Sequence, residues 1–535
     1  MTLNLPPVDE AVLNGASGEL LISPSGGNQA NSIGGNSHLY IDRYRGPDGE
    51  WRADMVEIDF GLLHRSAFYG DEVERVDTPN SLPYIADKDA PDSVISDPES
   101  PKIRLRLVTH GHSDHIAGLP PRIKAKGPGP AIAATPYSHE LIGRNLMQNG
   151  MVLDDKPEAI NIKPGDVLEV TERMKIHVLG ATHSIPGALS FIIETPDATH
   201  FHSGDLKVDD TSLIAGGTDL KELRKWGDRG IDTAILDATG APKPGWAKSE
   251  KDIRKYSQKI VEDSPSKRVT FGVLGSYVEQ LAGLALVAAN TNRALLYRGR
   301  DIELHLSRLE QGGFCLKKLV KEKTGKDLMM AKIGSDEANK LKPHEALQIV
   351  GGTDGSASAP IAKAIRGDLD GWRPSADDVV IWPQGFRTAQ PRQMEQVEQA
   401  YRRARVDLRR DNKRSDFGEG HGREQDLIAI LDALRPKAVI PTHGITAMQE
   451  ALGKIATRLG IKPHYADNGD IVRLSRQGAE LIGERNAEWM AANDTRYPDQ
   501  PRYSFDPEAD EPDPGREHPS QGADKESPRR PGLAS

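Results

Sequence analysis

A single cysteine, Cys315, stands in 535 residues. That excludes an intramolecular disulfide framework and any cysteine-built zinc site, and it suits a reducing cytoplasm. Aromatic residues are scarce, at 5%. Long apolar runs are missing too. The best of them, Leu281 to Ala289, is about half of the roughly 18 to 20 residues that a membrane helix needs, so no membrane partner is expected. The opening MTLNLPPVDEAVLNG has no basic stretch before an apolar core, so no secretory signal is expected. Positive charge is not in excess either, the formal net charge being -10. A nucleic-acid partner therefore cannot be inferred from bulk charge and would need a local basic groove.

What is present is enough chain for two or more domains, with 37% hydrophobic and 28% charged residues. From Arg496 to Ser535 the chain carries eight prolines, many charges and little apolar content. Such a segment cannot bury enough surface to offset its ordering entropy, which predicts a disordered tail. Ser66 to Ser100 is acidic and lacks periodicity, which predicts a long surface insertion. Elsewhere short apolar runs alternate with helical patterns. Strands are expected at Arg104–Val108, Lys175–Leu179, Leu189–Glu194, Thr233–Asp237 and Lys437–Ile440. Helices are expected at Tyr277–Asn290, Pro391–Arg405, Arg423–Leu434 and Ile445–Leu459. The interleaving indicates an α/β architecture.

The strongest local feature is Thr109-His110-Gly111-His112-Ser113-Asp114-His115, which follows a strand. Three imidazoles and a carboxylate packed this closely are hard to satisfy without a metal. Two metals need further ligands, and these should also stand at strand ends. His183 in Ala181-Thr182-His183-Ser184, Asp205 in Ser203-Gly204-Asp205 and His443 in Pro441-Thr442-His443-Gly444 all have that context. A carboxylate such as Asp205 can bridge two cations and place a shared water between them.

His110-Gly111-His112-Ser113-Asp114-His115 resembles the HxHxDH signature of the metallo-β-lactamase superfamily. Asp59, in Ile58-Asp59-Phe60-Gly61, resembles that superfamily's first motif, a strand-end aspartate that supports the metal loop from behind. Further on, Asp237 precedes Ala-Thr-Gly-Ala-Pro-Lys-Pro-Gly-Trp-Ala-Lys-Ser-Glu. About 180 residues later come Glu419-Gly420-His421-Gly422 and then Pro441-Thr442-His443-Gly444. This resembles the β-CASP nucleic-acid-processing branch, and within it the ribonuclease J family. Gly34-Gly35-Asn36, Ser203-Gly204-Asp205-Leu206-Lys207 and Asp467-Asn468-Gly469-Asp470 add to the match, which spans about residues 25 to 475.

The resemblance implies a metallo-β-lactamase αββα sandwich formed by residues 15–245 and 425–485. It implies an inserted β-CASP α/β domain over 246–424, ahead of the tail at 486–535. His110, His112 and His183 would hold one divalent cation. Asp114, His115 and His443 would hold the other, and Asp205 would bridge them. Zinc is expected from the imidazole-rich set, with manganese or magnesium as alternatives. Asp237 matches the β-CASP acidic motif. His421 matches the histidine that contacts the scissile phosphate and assists the leaving oxygen. The implied activity is two-metal hydrolysis of single-stranded RNA in the cytoplasm, through a metal-activated hydroxide. A DNA-directed β-CASP nuclease, a small-molecule hydrolase and a non-catalytic RNA-binding protein are the competing readings, and a homo-oligomer is left open. The inserted part departs from the family's pattern. Gly299-Arg300-Asp301-Ile302 stands where Gly-Arg-Ser-Met is usual, and Gly275-Ser276-Tyr277-Val278-Glu279 where a Ser-Asn motif is usual. An aspartate would repel a terminal phosphate there, so the exo or endo mode is left open.

Three other features invite simpler readings. His200 and His202 spell HxH on one strand face and are expected to be structural. His139 opens a helix and is expected to pack or lie at the surface. Arg402 to Arg414 carries seven basic residues in thirteen; it could touch an RNA backbone, although such a run is usually a solvated helix face.

Overall fold

The structure is a computed structural model that describes residues 18–483, apart from 29–33, 62–101, 152–155, 215, 353–356, 384–390, 412–417 and 419. The insertion expected at Ser66 to Ser100 and the tail from Arg496 lie outside the described residues.

The described residues open with β1 (Gly18–Gly26), β2 (Ser37–Arg45), β3 (Trp51–Ile58), β4 (Lys102–Leu107), β5 (Ile132–Ala134) and β6 (Ala159–Asn161). Next come β7 (Val167–Glu169), β8 (Lys175–Gly180), β9 (Leu189–Glu194), β10 (Thr199–His202) and β11 (Thr233–Asp237). A third group holds β12 (Arg268–Gly272), β13 (Ala294–Arg298), β14 (Met330–Lys332), β15 (Ala346–Val350), β16 (Asp378–Pro383) and β17 (Asp407–Asp411). The chain then returns through β18 (Ala438–Thr442), β19 (Lys462–Pro463), β20 (Ile471–Ser475) and β21 (Gly478–Gly483).

These strands form three sheets, in the orders β21-β20-β1-β2-β3-β4-β5-β6, β19-β18-β11-β10-β9-β8-β7 and β14-β13-β15-β12-β16-β17. Strand period explains how the first two stack. Leu20 and Ile22 of β1 join Val56, Leu107, Ile176, Phe191, Ile235 and Ile440 in one core shared by both sheets. Leu21 points the other way, into a small outer cluster with Leu39, Ile41 and Met55. On the outer face of the second sheet, Leu223, Leu427, Ile430, Leu431 and Leu452 cover Ala234, Leu236 and Val439. These leucines lie on helices Leu220–Arg229, Glu424–Leu434 and Thr446–Arg458.

The third sheet is wholly parallel and is buried on both faces. Val269, Phe271, Leu295 and Ile381 pack on helix Val278–Asn290. Leu296, Val350 and Val380 pack on Ile361, Trp372 and Tyr401. Burial on both sides is what a parallel sheet with crossover helices requires, and it accounts for apolar runs such as ALQIV in β15. The core on the first of these faces continues without a break into Phe60, Val108, Tyr137 and Leu141 of the earlier strands and helices.

One expectation is changed. The basic run from Arg402, of which residues 412–414 lie outside the described residues, is not one helix face. The helix ends at Arg403, Arg405 turns with φ +59°, and β17 follows as an edge strand. Its charges are partly matched, with Arg402 2.8 Å and Arg410 2.7 Å from the Glu398 carboxylate and Arg409 2.8 Å from Asp407. Charge along an edge strand also discourages pairing with a further strand. Among the described residues no helix is long and apolar enough to cross a membrane.

Candidate metal centre

Parallel strands end together, and their carboxyl ends gather side chains from distant parts of the chain. Here β3 and β4 end at Asp59 and the His110 loop, β10 and β11 end at Asp205 and Asp237, and β18 ends at His443. His183 follows β8. Two of these residues are non-glycines with left-handed backbone, Asp59 at φ +62° and His443 at φ +54°. That conformation costs free energy and persists only where the surroundings hold it.

All seven expected ligands converge. His110 Nε2 and His183 Nε2 lie 3.0 and 3.1 Å from His112 Nδ1. Asp205 Oδ2 is 3.6 Å from His110 Nε2 and 3.7 Å from His183 Nε2. Beside this set, Asp114 Oδ2 lies 3.2 Å from His443 Nε2 and 3.8 Å from His115 Nε2. Asp205 faces both sets, with Oδ1 3.4 Å from His115 Nε2 and Oδ2 3.4 Å from His443 Nε2.

The other ring nitrogens face away and are held by oxygen. His115 Nδ1 is 2.7 Å from Asp59 Oδ2, and Asp59 also accepts from the Thr109 amide and hydroxyl. His443 Nδ1 is 2.7 Å from Thr239 Oγ1, and His110 Nδ1 is 3.0 Å from Thr109 Oγ1. His183 Nδ1 meets the Gly420 carbonyl at 2.8 Å, and His112 Nε2 meets the Ser276 carbonyl at 3.3 Å. Gly420 must be glycine, because a Cβ there would stand 2.6 Å from the His183 ring. Oxygen contacts of this kind fix which nitrogen is free to bind a cation.

The residues fit a divalent pair. Asp205 Oδ1 is buried and has no hydrogen-bond partner among the described residues, a costly state for a carboxylate without a cation. Burial drives His110 and His183 well below the usual histidine range and His112 to about 4. These rings are therefore neutral and offer lone pairs. Burial opposes charge on His115 and His443 as well. Asp205, Asp59 and Asp114 outweigh it at His115, and Asp205 leads the carboxylates that lift His443 to about 9. That half of the site attracts positive charge, by proton or by metal. Three groupings have ligand atoms within 4.8 Å of one another: His110, His112, His183 and Asp205; Asp114, His115 and His443; Asp205, His421 and His443.

His421 leans over the same space. Its Nδ1 is 2.7 Å from Asp237 Oδ2 and its Nε2 3.9 Å from Asp205 Oδ2. Burial disfavours its charged form, but Asp237 and Asp205 prevail and raise its pKa. His200, His202 and His139 stand apart from these groupings; His139 Nε2 meets the Ile160 carbonyl at 3.0 Å. Thr109, Thr239 and the carbonyls of Ser276 and Gly420 were not anticipated. The two threonines lie within two residues of a strand-end site residue. The carbonyls carry no side-chain signal.

Comparison with known proteins agrees with this geometry. Residues 86–244 match a family model described as a β-lactamase superfamily domain. Ribonuclease J of Corynebacterium glutamicum is 26% identical over 388 residues, 72% of this chain and 51% of that protein. Ribonuclease J 1 of Streptococcus pyogenes is 27% identical over 72% of this chain and 67% of its own. The Thermus thermophilus ribonuclease J is 26% identical over 72% of this chain and 66% of its own. The chain thus spans between half and two thirds of these relatives. A crystal structure of a protein of unknown function from Enterococcus faecalis V583 shares the fold. It has a TM-score of 0.57 at 15% identity and covers 85% of this chain and all of that one.

Proposed function

From the premise that the chain is ribonuclease J-like and contains a β-lactamase superfamily domain, we propose that it is a metal-dependent phosphodiesterase acting on single-stranded RNA. The observation that carries this is the two donor sets sharing Asp205, with His421 docked beside them. Two divalent cations, zinc first among them on donor chemistry, would neutralise the phosphodiester and make a water acidic enough to attack it.

The chain's own residues do the rest. His110, His112 and His183 are the first ligand set and Asp114, His115 and His443 the second. Asp205 faces both, so it sets their spacing. Asp59 and Thr239 orient the rings of His115 and His443. Asp114 presents a carboxylate oxygen as ligand and as acceptor for the attacking water's proton. His421, held by Asp237 through Nδ1, presents Nε2 toward the site and can give a proton to the departing 3′ oxygen. The products would be a 5′-phosphate and a 3′-hydroxyl. Residues 246–424 act as the cover that admits a polymer, over a catalytic body of 15–245 and 425–485. The cytoplasm is the compartment where such a reaction would meet its RNA.

The test is end-labelled single-stranded RNA bearing a 5′-monophosphate or a 5′-hydroxyl, with matched DNA alongside and an Asp114→Ala control. Metal-dependent RNA cleavage absent from the control is expected. Mononucleotides from 5′-phosphate RNA alone would define a 5′-exonuclease, and internal cuts indifferent to the 5′ group an endonuclease. Cleavage of DNA only, or of neither, would overturn the ribonuclease reading.

A further inference from the structure

Trp246 is 53% exposed, whereas Trp226, Trp372 and Trp382 are 8% exposed or less. Trp51 is half-buried. A tryptophan left in water gives up the largest apolar burial any side chain offers, so its exposure calls for a reason.

The loop that carries it is held firmly. The Asp426 carboxylate accepts from the Ala247 amide at 2.8 Å, the Val208 amide at 2.9 Å and the Arg423 amide at 3.0 Å. The Gln425 amide donates to the Gly245 carbonyl and the Glu424 amide to the Lys243 carbonyl, each at 3.0 Å. Asp426 itself is fully buried. The segment that pins this loop is therefore the one that begins at His421. Gln425 lies four positions after His421, a span of about 14 Å at most. Trp246 and the proton-donating histidine are thus mounted on one short stretch of bonded backbone.

The surroundings of the indole also suit a polyanion. Lys243 and Pro244 are exposed beside it, and Lys248 is half-buried two residues on. An indole face accepts any unpaired base, and neighbouring lysines attract the phosphates between bases.

We propose that Trp246 is a stacking platform for an unpaired base of the RNA strand that passes His421, with Lys243 and Lys248 attending the adjoining phosphates. This rests on the RNA reading above and adds the place where a nucleotide away from the scissile bond is gripped. Stacking is sequence-tolerant, so the platform would serve single-stranded RNA of mixed sequence. Duplex RNA, whose bases are already stacked, would not engage it.

The test uses the full chain in a His421→Ala background, which slows turnover, and a labelled single-stranded RNA dodecamer followed by anisotropy. Trp246→Ala is expected to weaken binding about 5- to 150-fold, the range of one lost base stack. Trp246→Phe keeps a ring and should stay close to the parent. Lys243→Gln should lower the salt dependence of binding by about one unit of slope, and Trp246→Ala should leave that slope alone. The melting temperature of each variant should match the parent's, since the side chain is exposed. If the parent binds RNA and Trp246→Ala binds equally well, the platform is refuted while the RNA reading stands. A parent that binds no RNA removes both. A change of oligomeric state in Trp246→Ala would make the indole a subunit contact and refute the platform.

Discussion

The protein buries two groups of histidines, and they do different things. His110, His112, His115, His183 and His443 form one. His38, His200 and His202 form the other, within the same sandwich. All are buried except His112, which is half-buried, so burial does not separate the groups. The direction of the nitrogens does. In the first group each ring has one nitrogen fixed by an oxygen and the other turned toward Asp114 or Asp205 and its neighbouring rings. In the second group no carboxylate among the described residues bonds a ring. His202 Nδ1 meets the Tyr40 hydroxyl at 2.9 Å, His38 Nε2 meets Thr442 Oγ1 at 2.9 Å, and neither nitrogen of His200 has a partner among the described residues. Burial holds these rings neutral, His38 at about 3 and His200 at about 4. A histidine pair two residues apart is thus a weak sign of a metal until a carboxylate and a second set of oxygen contacts join it.

The sharpest way to break this contrast is to exchange one member of each group. Asp205→Asn removes the charge that both donor sets share. Metal content measured by atomic emission should fall, and kcat should drop by more than the about 10- to 100-fold that a lost supporting contact costs. His202→Phe should keep its metal. If it loses metal as Asp205→Asn does, the two groups are one functional unit and the contrast fails. Next in size is His421→Ala. Its proton donation is worth about 10²- to 10⁴-fold in kcat, with metal content retained. Loss of metal would instead make His421 a ligand, since it can group with Asp205 and His443. Asp59→Asn comes third. The amide cannot orient His115 as the carboxylate does, so metal affinity should weaken about 10- to 100-fold while the fold survives. Competition with a chelator would measure it.

Much of this was legible before any coordinates. Leu189–Glu194 and Thr233–Asp237 fall where the apolar runs put them, and helix Val278–Asn290 begins one residue late. These elements are long enough, or apolar enough, for local pattern to decide them. His183, Asp205 and His443 were legible because each follows a strand in a small-residue loop, and the other four because they crowd into six residues after a strand, with Asp114 and His115 on the short helix Ser113–Ile116. Three things were not. The run from Arg402 hides a change of element, since a turn at Arg405 inside a continuous basic stretch leaves no hydrophobic mark. Contacts made by carbonyls, such as Gly420 to His183, have no residue-type signature. Tyr277 gives the third case. Its hydroxyl donates to Glu250 at 2.8 Å, and the Lys207 ammonium reaches the same carboxylate oxygen at 2.6 Å. That network joins residues far apart in sequence, and one chain read alone offers no means to pair them.

The smallest expected effect concerns acid stability, and it tests the second group alone. His200 has an ordinary value of 6.5 when unfolded and is held at about 4 when buried. Its pKa is lowered by folding, so between those values the unfolded chain binds a proton that the folded chain refuses. Stability is then full above about pH 6.5 and is lost as pH falls toward 4, by up to about 1.4 kcal/mol per pH unit for one such group. His200→Leu removes that group together with two buried nitrogens that have no partner among the described residues. Thermal melts from pH 7 to pH 4.5, with chelator present in both proteins, should show a flatter acid limb for the variant and no loss of stability at pH 7. A limb as steep as the parent's would mean that His200 is already protonated in the fold, which would require a buried acidic partner, with Asp232 as the nearby carboxylate that favours its charge. The second group would then have the carboxylate whose absence separates it from the metal centre.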